Sequence, residues 1–227
     1  GLTFDFFAKI FKRASIDNAN LPITSSVHYQ EDSRFGYDNA FWNGNQMVYG
    51  DGYLFNRMTM SLDVVAHELT HGITQYEAGL RYEMQSGALN EHMSDVFGVM
   101  VRQWANNESN PGAADWSIGR GLFRKTAMQG MSLRSLSAPG TAYDDPEFGK
   151  DPQPGHMRDF VNLPNTDEGD WGGVHYNSGI PNKAFYLVAQ TIGGASWETA
   201  GKIWYIALTE RLRDNADFKK CAYETIS

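Results

Sequence analysis

The run Val64-Val65-Ala66-His67-Glu68-Leu69-Thr70-His71, followed twenty residues after His71 by Glu91 in Gly87-Ala88-Leu89-Asn90-Glu91-His92-Met93-Ser94-Asp95, constrains this chain more than any other feature. On a helix, residues four apart share a face, so His67 and His71 can aim two imidazole nitrogens at one metal ion while Glu68 sits beside them. A third ligand must come from elsewhere in the fold, and Glu91 is the best candidate. Two histidines and one carboxylate leave the fourth tetrahedral place of a zinc ion to water, as a hydrolytic site requires and a structural zinc site does not. Zinc lowers the pKa of such a water from about 15.7 toward about 7, and Glu68 would take its proton as general base. No third histidine stands at the Gly-x-x-His position of the metzincins, where Ile73, Thr74, Gln75 and Tyr76 follow Gly72.

With 227 residues, 41% of them hydrophobic and 13% aromatic, the chain can bury a sizeable core in one domain or two small lobes. Its formal charge of -8 argues against nucleic acid and anionic membranes, which call for a basic patch. The single cysteine, Cys221, excludes an internal disulfide. No signal peptide or membrane span is visible; if the mature chain was cut from a longer precursor, its targeting information went with the removed part.

Phe4, Phe7, Ala8 and Phe11 recur at helical spacing, so the first dozen residues are predicted to be an amphipathic helix. Val27 to Tyr29, Ala40 to Trp42 and Gln46 to Tyr49 are short β-type runs, with Asn43-Gly44 a two-residue hairpin signal between the last two. A helix is expected from about Ser61 or Asp63 to Ala78, with Gly79 as C-cap. A second runs from about Gly87 to Ala105, with Leu89, Met93, Val96, Phe97 and Met100 on its apolar stripe and Glu91 and Asp95 together on another face. Ser137 to Gly173, dense in Pro, Gly and Asp, is expected to be a long ordered loop. Ile180 to Thr191, Glu198 to Arg211 and Ala216 onward read as three further helices, the last without a capping signal at Ser227.

The segments HELTHGITQYEAGL, SGALNEHMSDVFG, NAFWNG, SLRSL and GGVHYNSGIPNKAF, in this chain, together resemble the thermolysin-like zinc peptidases. The stretch from Ala138 to Pro146, with Gly149 to Pro154 after it, is similar to the protealysin-type branch. The likeness covers nearly the whole chain, and the 19 residues between His71 and Glu91 separate it from the related aminopeptidase pattern, which usually has one fewer. It implies an α+β zincin-type fold: a small β-rich N-terminal lobe, a mainly α-helical C-terminal lobe, and the active-site helix between them. The expected boundary puts 1–78 in the end of the first lobe and 79–227 in the second. Members usually carry more sheet before the part beginning at Gly1 and more helix after Ser227, so a fragment, a processed form or a compact variant is expected.

The resemblance also assigns roles. Asp95 would accept the second ring N–H of His67 and so fix its tautomer. Tyr82 and His175 would stabilise the oxyanion of the tetrahedral intermediate, with Asp170 orienting His175. Asn39 and the Ala40 carbonyl, beside Trp42, would hold substrate backbone as an added strand. Arg134 matches a carbonyl-binding arginine near the S1′ pocket, and Phe55, Met58, Val64, Ile118 and Leu133 match that pocket's lining. All five are apolar, which predicts cleavage on the amino side of bulky hydrophobic residues. His28, His92 and His156 have no such context and are expected to be structural or surface residues.

At the family's double calcium site only Asp63 and Asp115 keep their acids, while Arg102, Ser117 and Arg120 occupy the other matching positions. Calcium needs about six to eight oxygen ligands, and arginine cannot supply one. No calcium is expected there, and an arginine is expected to pair with Asp63 or Asp115 in place of the cation. The acidic residues Asp144, Asp145, Glu147, Asp151, Asp167 and Glu168 are expected to form a solvated loop, with a site for a different ion as the open alternative. One zinc ion, peptide or protein substrates, possible inhibition by its own propeptide, and a monomeric state complete the expectation. Export is expected, with a cytoplasmic location open because the protealysin-type branch often lacks an export signal. Two alternatives to an endopeptidase stay open: an aminopeptidase of a related zincin type, and a zinc-binding fragment without turnover.

Overall fold

The computed structural model describes residues 1–31 and 36–227. The first helix, α1 (Leu2–Phe11), buries Phe6 and Phe7 and ends at Lys12, whose φ of 58° turns the chain and whose N–H donates to the Phe7 carbonyl. Its aromatic face meets the rest of the core: Phe7 lies 5.5 Å from Phe97 and Phe11 stacks at 4.3 Å on Tyr205, ring centroid to ring centroid.

Three strands follow, β1 (Ser25–Tyr29), β2 (Ala40–Trp42) and β3 (Met47–Gly50), in the order β1-β3-β2. β3 is parallel to β1 and antiparallel to β2, which leaves β2 at the edge. The Asn43-Gly44 hairpin is present, but not as a two-residue turn. Asn43 Oδ1 accepts the backbone N–H groups of Asn45 and Gln46 at 3.0 Å each, so the amide builds its own turn and the connection takes four residues, 43–46.

α2 (Leu62–Tyr76) carries the His-Glu-x-x-His run and stops earlier than expected, with Glu77 as C-cap. Gly79, at φ +62°, closes the turn beyond it by donating its N–H to the Thr74 carbonyl. α3 (Met84–Ala105) packs along α2 and is longer at its start than the apolar pattern suggested. Leu89, Met93, Val96, Phe97 and Met100 are all fully buried. At about 1.5–3 kcal/mol per large apolar side chain, this stripe is the main hydrophobic anchor of the fold. Yet Glu91, His92, Ser94 and Asp95 are buried too. A helix buried on its polar side must find partners for that side, and for Glu91, His92 and Asp95 they come from α2, from Tyr82 and Arg134, and from the C-terminal helices. The two helices approach closely at Gly98, where an added Cβ would lie 2.7 Å from the Asp63 carbonyl oxygen.

Beyond α3, β4 (Ser117–Ile118) pairs with β5 (Arg134–Ser135), and β6 (Asp144–Asp145) with β7 (Gly149–Lys150). The segment from Ser137 to Gly173 is therefore not all loop: it holds the β6–β7 hairpin, and α4 (Asp170–Asn177) begins inside it. Sequence pattern missed α4 because Trp171, Gly172 and Gly173 enter it at φ 49°, 88° and 78°, a left-handed approach that no helical periodicity marks. α5 (Gly179–Ile192) and α6 (Thr199–Ile206) follow, with α6 loosening into a π turn over Ala207–Arg211. The last helix, α7 (Phe218–Ile226), starts two residues later than predicted because Asp217 caps it, its side chain accepting the Lys220 N–H. The result is a small sheet-bearing part followed by a mainly helical one. No helix among the described residues is long and apolar enough to cross a membrane.

Candidate active site

His67 and His71 project from α2 toward α3, and their Nε2 atoms lie 3.0 Å apart. Glu91 on α3 faces both, with Oε2 3.3 Å from His67 Nε2 and Oε1 3.4 Å from His71 Nε2. One ligand atom from each of the three lies within 4.8 Å of the other two.

The outer nitrogens decide what the inner ones can do. His67 Nδ1 lies 2.9 Å from Asp95 Oδ1, an acceptor, so it carries the proton. Asn90 donates its amide N–H to the Leu80 carbonyl at 2.9 Å, which turns its oxygen to His71 Nδ1 at 2.8 Å. Both imidazoles are thereby held with bare Nε2 lone pairs pointing inward. Two lone pairs and a carboxylate oxygen, Glu91 Oε2, which is buried and has no hydrogen-bond partner among the described residues, face one another. Such a cluster lacks positive charge, and a zinc ion fits it in ligand type and number. Without a metal a proton must serve: burial opposes charge on His67, but Glu91 and Asp95 raise its pKa to about 10, while burial lowers that of His71 to about 4.

Glu68 is buried beside these ligands, and burial pushes its carboxyl up to about 7, the range of a base that takes and returns a proton near neutrality. Tyr82 Oη donates to Glu91 Oε1 and lies 3.1 Å from His175 Nε2. His175 is held by Asp170, whose Oδ1 is 2.6 Å from Nδ1 and whose Oδ2 accepts the His175 backbone N–H at 2.7 Å. Burial disfavours a charged His175, but Glu91 and Asp170 outweigh it and raise its pKa. Arg134 grips Asp95 with two bonds, Nε to Oδ2 at 2.8 Å and Nη2 to Oδ1 at 2.7 Å, while its Nη1 takes no protein acceptor among the described residues. Arg134 and His67 hold Asp95 well below the usual carboxylate range against the effect of burial.

Apart from Asp95 and Asp170, which stand behind them, these groups line one cleft of about 910 Å³, together with Asn39, Ala40 and Trp42 of the edge strand and its approach. Trp42 Nε1 donates to Gln75 Oε1 at 2.8 Å, and Gln75 in turn donates to the Gly44 carbonyl, so α2 fixes the edge strand's position. Phe55, Met58, Val64 and Leu133 line the same cleft. Ile118 is the correction: it is fully buried on β4 and is not among the lining residues. Tyr143 and Phe148, from the Pro/Gly-rich segment, stand in the lining instead. Sequence reading missed these two and Asn90. Asp145 and Asp151 are also corrected: far from solvated, both are buried, Asp145 accepting from Lys125 and the N–H groups of Glu147 and Phe148, and Asp151 accepting the N–H groups of Gly140, Ala142 and Gln153, while Gln153 Nε2 holds the His175 carbonyl at 2.6 Å.

Residues 78–227 match the family described as thermolysin metallopeptidase, alpha-helical domain, and residues 1–75 match thermolysin metallopeptidase, catalytic domain. The chain belongs to the thermolysin metallopeptidase family. Among the relatives of this thermolysin-family chain is an extracellular metalloprotease of Pectobacterium carotovorum subsp. carotovorum, 58% identical over 100% of this chain and 63% of its own length. Bacillolysin of Bacillus subtilis (strain 168) is 46% identical over 96% of this chain and 37% of its own length. The chain thus spans less than two thirds of these relatives. The structure of the precursor of protealysin, a metalloproteinase from Serratia proteamaculans, superposes with a TM-score of 0.89 at 54% identity, covering 100% of this chain and 68% of that one.

Proposed function

We propose that this chain is the catalytic part of a zinc-dependent endopeptidase that cuts on the amino side of bulky hydrophobic residues. The observation that carries the reading is the convergence of two bare imidazole nitrogens and an unpartnered carboxylate oxygen beside a buried Glu68. His67, His71 and Glu91 would hold the zinc, whose Lewis acidity makes water a nucleophile near neutral pH. Glu68 takes the proton of that water and returns it to the leaving amine. Tyr82 and His175 donate to the carbonyl oxygen as charge develops on it, and Asp170 keeps the His175 Nε2 turned inward. Asn39 and the Ala40 carbonyl offer edge-strand hydrogen bonds to the substrate backbone, and Arg134 offers its free Nη1 to a substrate carbonyl. The apolar wall of Phe55, Met58, Val64 and Leu133 favours a large hydrophobic side chain after the scissile bond.

An aminopeptidase would need a free carboxylate in the cleft for the substrate's α-amine. Among the described residues, the two acids there besides Glu68 and Glu91 are already engaged: Asp38 accepts the N–H groups of Tyr53, Leu54 and Phe55, and Asp151 is occupied by the three groups named above. This favours the endopeptidase. The name of the Pectobacterium relative supports export, and the word precursor in the protealysin title supports a propeptide as a partner. We place the boundary between the two lobes at residues 78 and 79 and expect a monomer.

The test is an internally quenched peptide blocked at both ends, with a central Gly-Leu or Gly-Phe bond. Zinc-dependent cutting before the hydrophobic residue, abolished in Glu68→Ala, is the expected result. A folded, zinc-loaded chain that leaves the peptide intact overturns the reading.

A further inference from the structure

Next to the ligand Glu91, α3 carries a histidine, His92, that faces away from the cleft. His92 is fully buried, and a buried imidazole is tolerated only when both ring nitrogens have partners. Both do. The indole Nε1 of Trp204 on α6 lies 2.7 Å from His92 Nε2, and His92 Nδ1 lies 2.8 Å from Oδ1 of Asn182 on α5. Asn182 Nδ2 is 2.9 Å from Asp95 Oδ2, and Asp95 Oδ1 meets His67 Nδ1.

The direction of each bond follows from the first. An indole N–H can only donate, so His92 Nε2 must accept and, in the neutral ring, Nδ1 must carry the proton. That proton fixes the Asn182 oxygen toward His92 and its amide N–H toward Asp95. Asn182 and Asp95 are fully buried and Trp204 nearly so, so no water competes at any link.

We infer that Trp204, His92 and Asn182 are positioning residues for the metal site, a one-way hydrogen-bond line from α6 through α5 that holds Asp95 in register with His67. The inference rests on the zinc reading above. Without the line, Asp95 keeps Arg134 and His67 but loses the donor on its far side. Breaking the first link shows the logic. In Trp204→Phe, His92 Nε2 loses its donor and is left a buried acceptor without a partner, while the Asp95 carboxylate, which can only accept, still holds the Asn182 amide N–H and through it the proton on His92 Nδ1. The ring then loses the bond that anchors it to α6, and the line behind Asp95 slackens. Asn182→Leu removes the donor outright. A histidine that merely filled the core would disturb packing in either variant without loosening the metal.

The experiment uses the whole zinc-loaded chain. Imidazole ¹⁵N NMR of the wild type reads the His92 tautomer, and transfer of zinc to a chromophoric chelator reads the release rate, with thermal unfolding alongside. The Nδ1–H tautomer is expected for His92. Zinc release is expected to be about tenfold faster or more in Asn182→Leu, the lower end of the effect of removing a partner that touches a metal ligand directly. In Trp204→Phe it should be faster by a smaller factor, with His92 keeping the Nδ1–H form. If Asn182→Leu does not fold, Trp204→Phe decides, because its phenyl ring keeps most of the packing. An Nε2–H tautomer in the wild type, or wild-type release rates in the folded variants, overturns the inference. A wild type that takes up no zinc overturns the metal reading instead.

Discussion

The α2–α3 pair carries two buried charge clusters, one at each end of its contact, built by opposite rules. At one end His67, His71 and Glu91 meet around inward-facing lone pairs, with Asp95 behind them already paired to Arg134. At the other, Arg102 of α3 lies against Asp63 of α2, with Nη1 2.7 Å from Oδ2 and 2.8 Å from the Ser117 carbonyl, while Nη2 donates to the Asp115 carbonyl at 2.6 Å. Arg120 completes this second cluster through Nε to Asp115 Oδ2 at 2.7 Å. Asp63 is otherwise satisfied by Ser61 Oγ and by the N–H groups of Val64 and Gly119. The arginine pairing expected from sequence is present. One cluster supplies its own cation and the other leaves a place for one. The carboxylates do not tell the two apart; the count of built-in positive charges does.

The sharpest test of the open cluster is Glu68→Gln, which keeps shape and zinc but removes the base. A fall in kcat/KM of about 10²- to 10⁴-fold is expected, with zinc content by atomic absorption unchanged. A variant that keeps wild-type turnover would break the assignment of Glu68. For the closed cluster the matching change is Arg102→Met. It leaves Asp63 buried with no counter-charge, and breaking a buried pair on one side costs about 3–5 kcal/mol. Thermal unfolding of the zinc-loaded chain should show that loss while the zinc release rate stays as it was, because the two clusters share no side chain. If release accelerates as well, the clusters are coupled through the helix pair and the contrast fails.

Sequence reading reached the two clusters unequally. The two histidine ligands were legible because helical period fixes i and i+4, while Glu91 was supported by the family spacing and Asp95 by the resemblance. Asn90 was not, since an amide carries no charge signature, and neither was the line behind Asp95, since His92, Asn182 and Trp204 belong to three helices and only packing brings them together. The helices were legible from their apolar stripes. α4 was hidden because its entry depends on left-handed φ angles at Trp171, Gly172 and Gly173. Ile118 was placed in the cleft by resemblance to the family's pocket lining, but on β4, paired with Arg134, it is buried in the core.

A smaller effect is expected from acid. Burial raises the pKa of Asp115, but its bonds to Arg120 and the charge of Arg102 outweigh this and lower it to about 2. An unfolded aspartate titrates near about 3.9. A carboxyl whose folded pKa is depressed contributes stability above the unfolded value and loses it as pH falls through the folded one. The contribution of Asp115 should therefore be constant above about pH 4 and fade between there and about pH 2. Melting temperatures of the wild type and Asp115→Asn should differ at pH 6 and converge toward pH 2. A gap that stays constant down to pH 2 would mean that Asp115 acts through packing rather than charge.

The smallest effect expected is none at all, from calcium. A divalent ion at the second cluster would have to displace the Arg102 guanidinium from Asp63, and the displaced charge would stay nearby and repel the ion. The carbonyls of Asp115 and Ser117 that an ion would use are already accepting from the same guanidinium. If calcium nevertheless bound, at 100 times its Kd it would add about 2.7 kcal/mol to stability. For a chain of this length each kcal/mol moves the melting temperature by about 2–4 °C, so a rise of roughly 5–11 °C would be seen. Titrating the zinc-loaded chain with millimolar calcium should leave the melting temperature unchanged. A saturable rise of that size, lost when Asp63 is replaced by Asn, would show that the arginine yields and that the second cluster is open like the first.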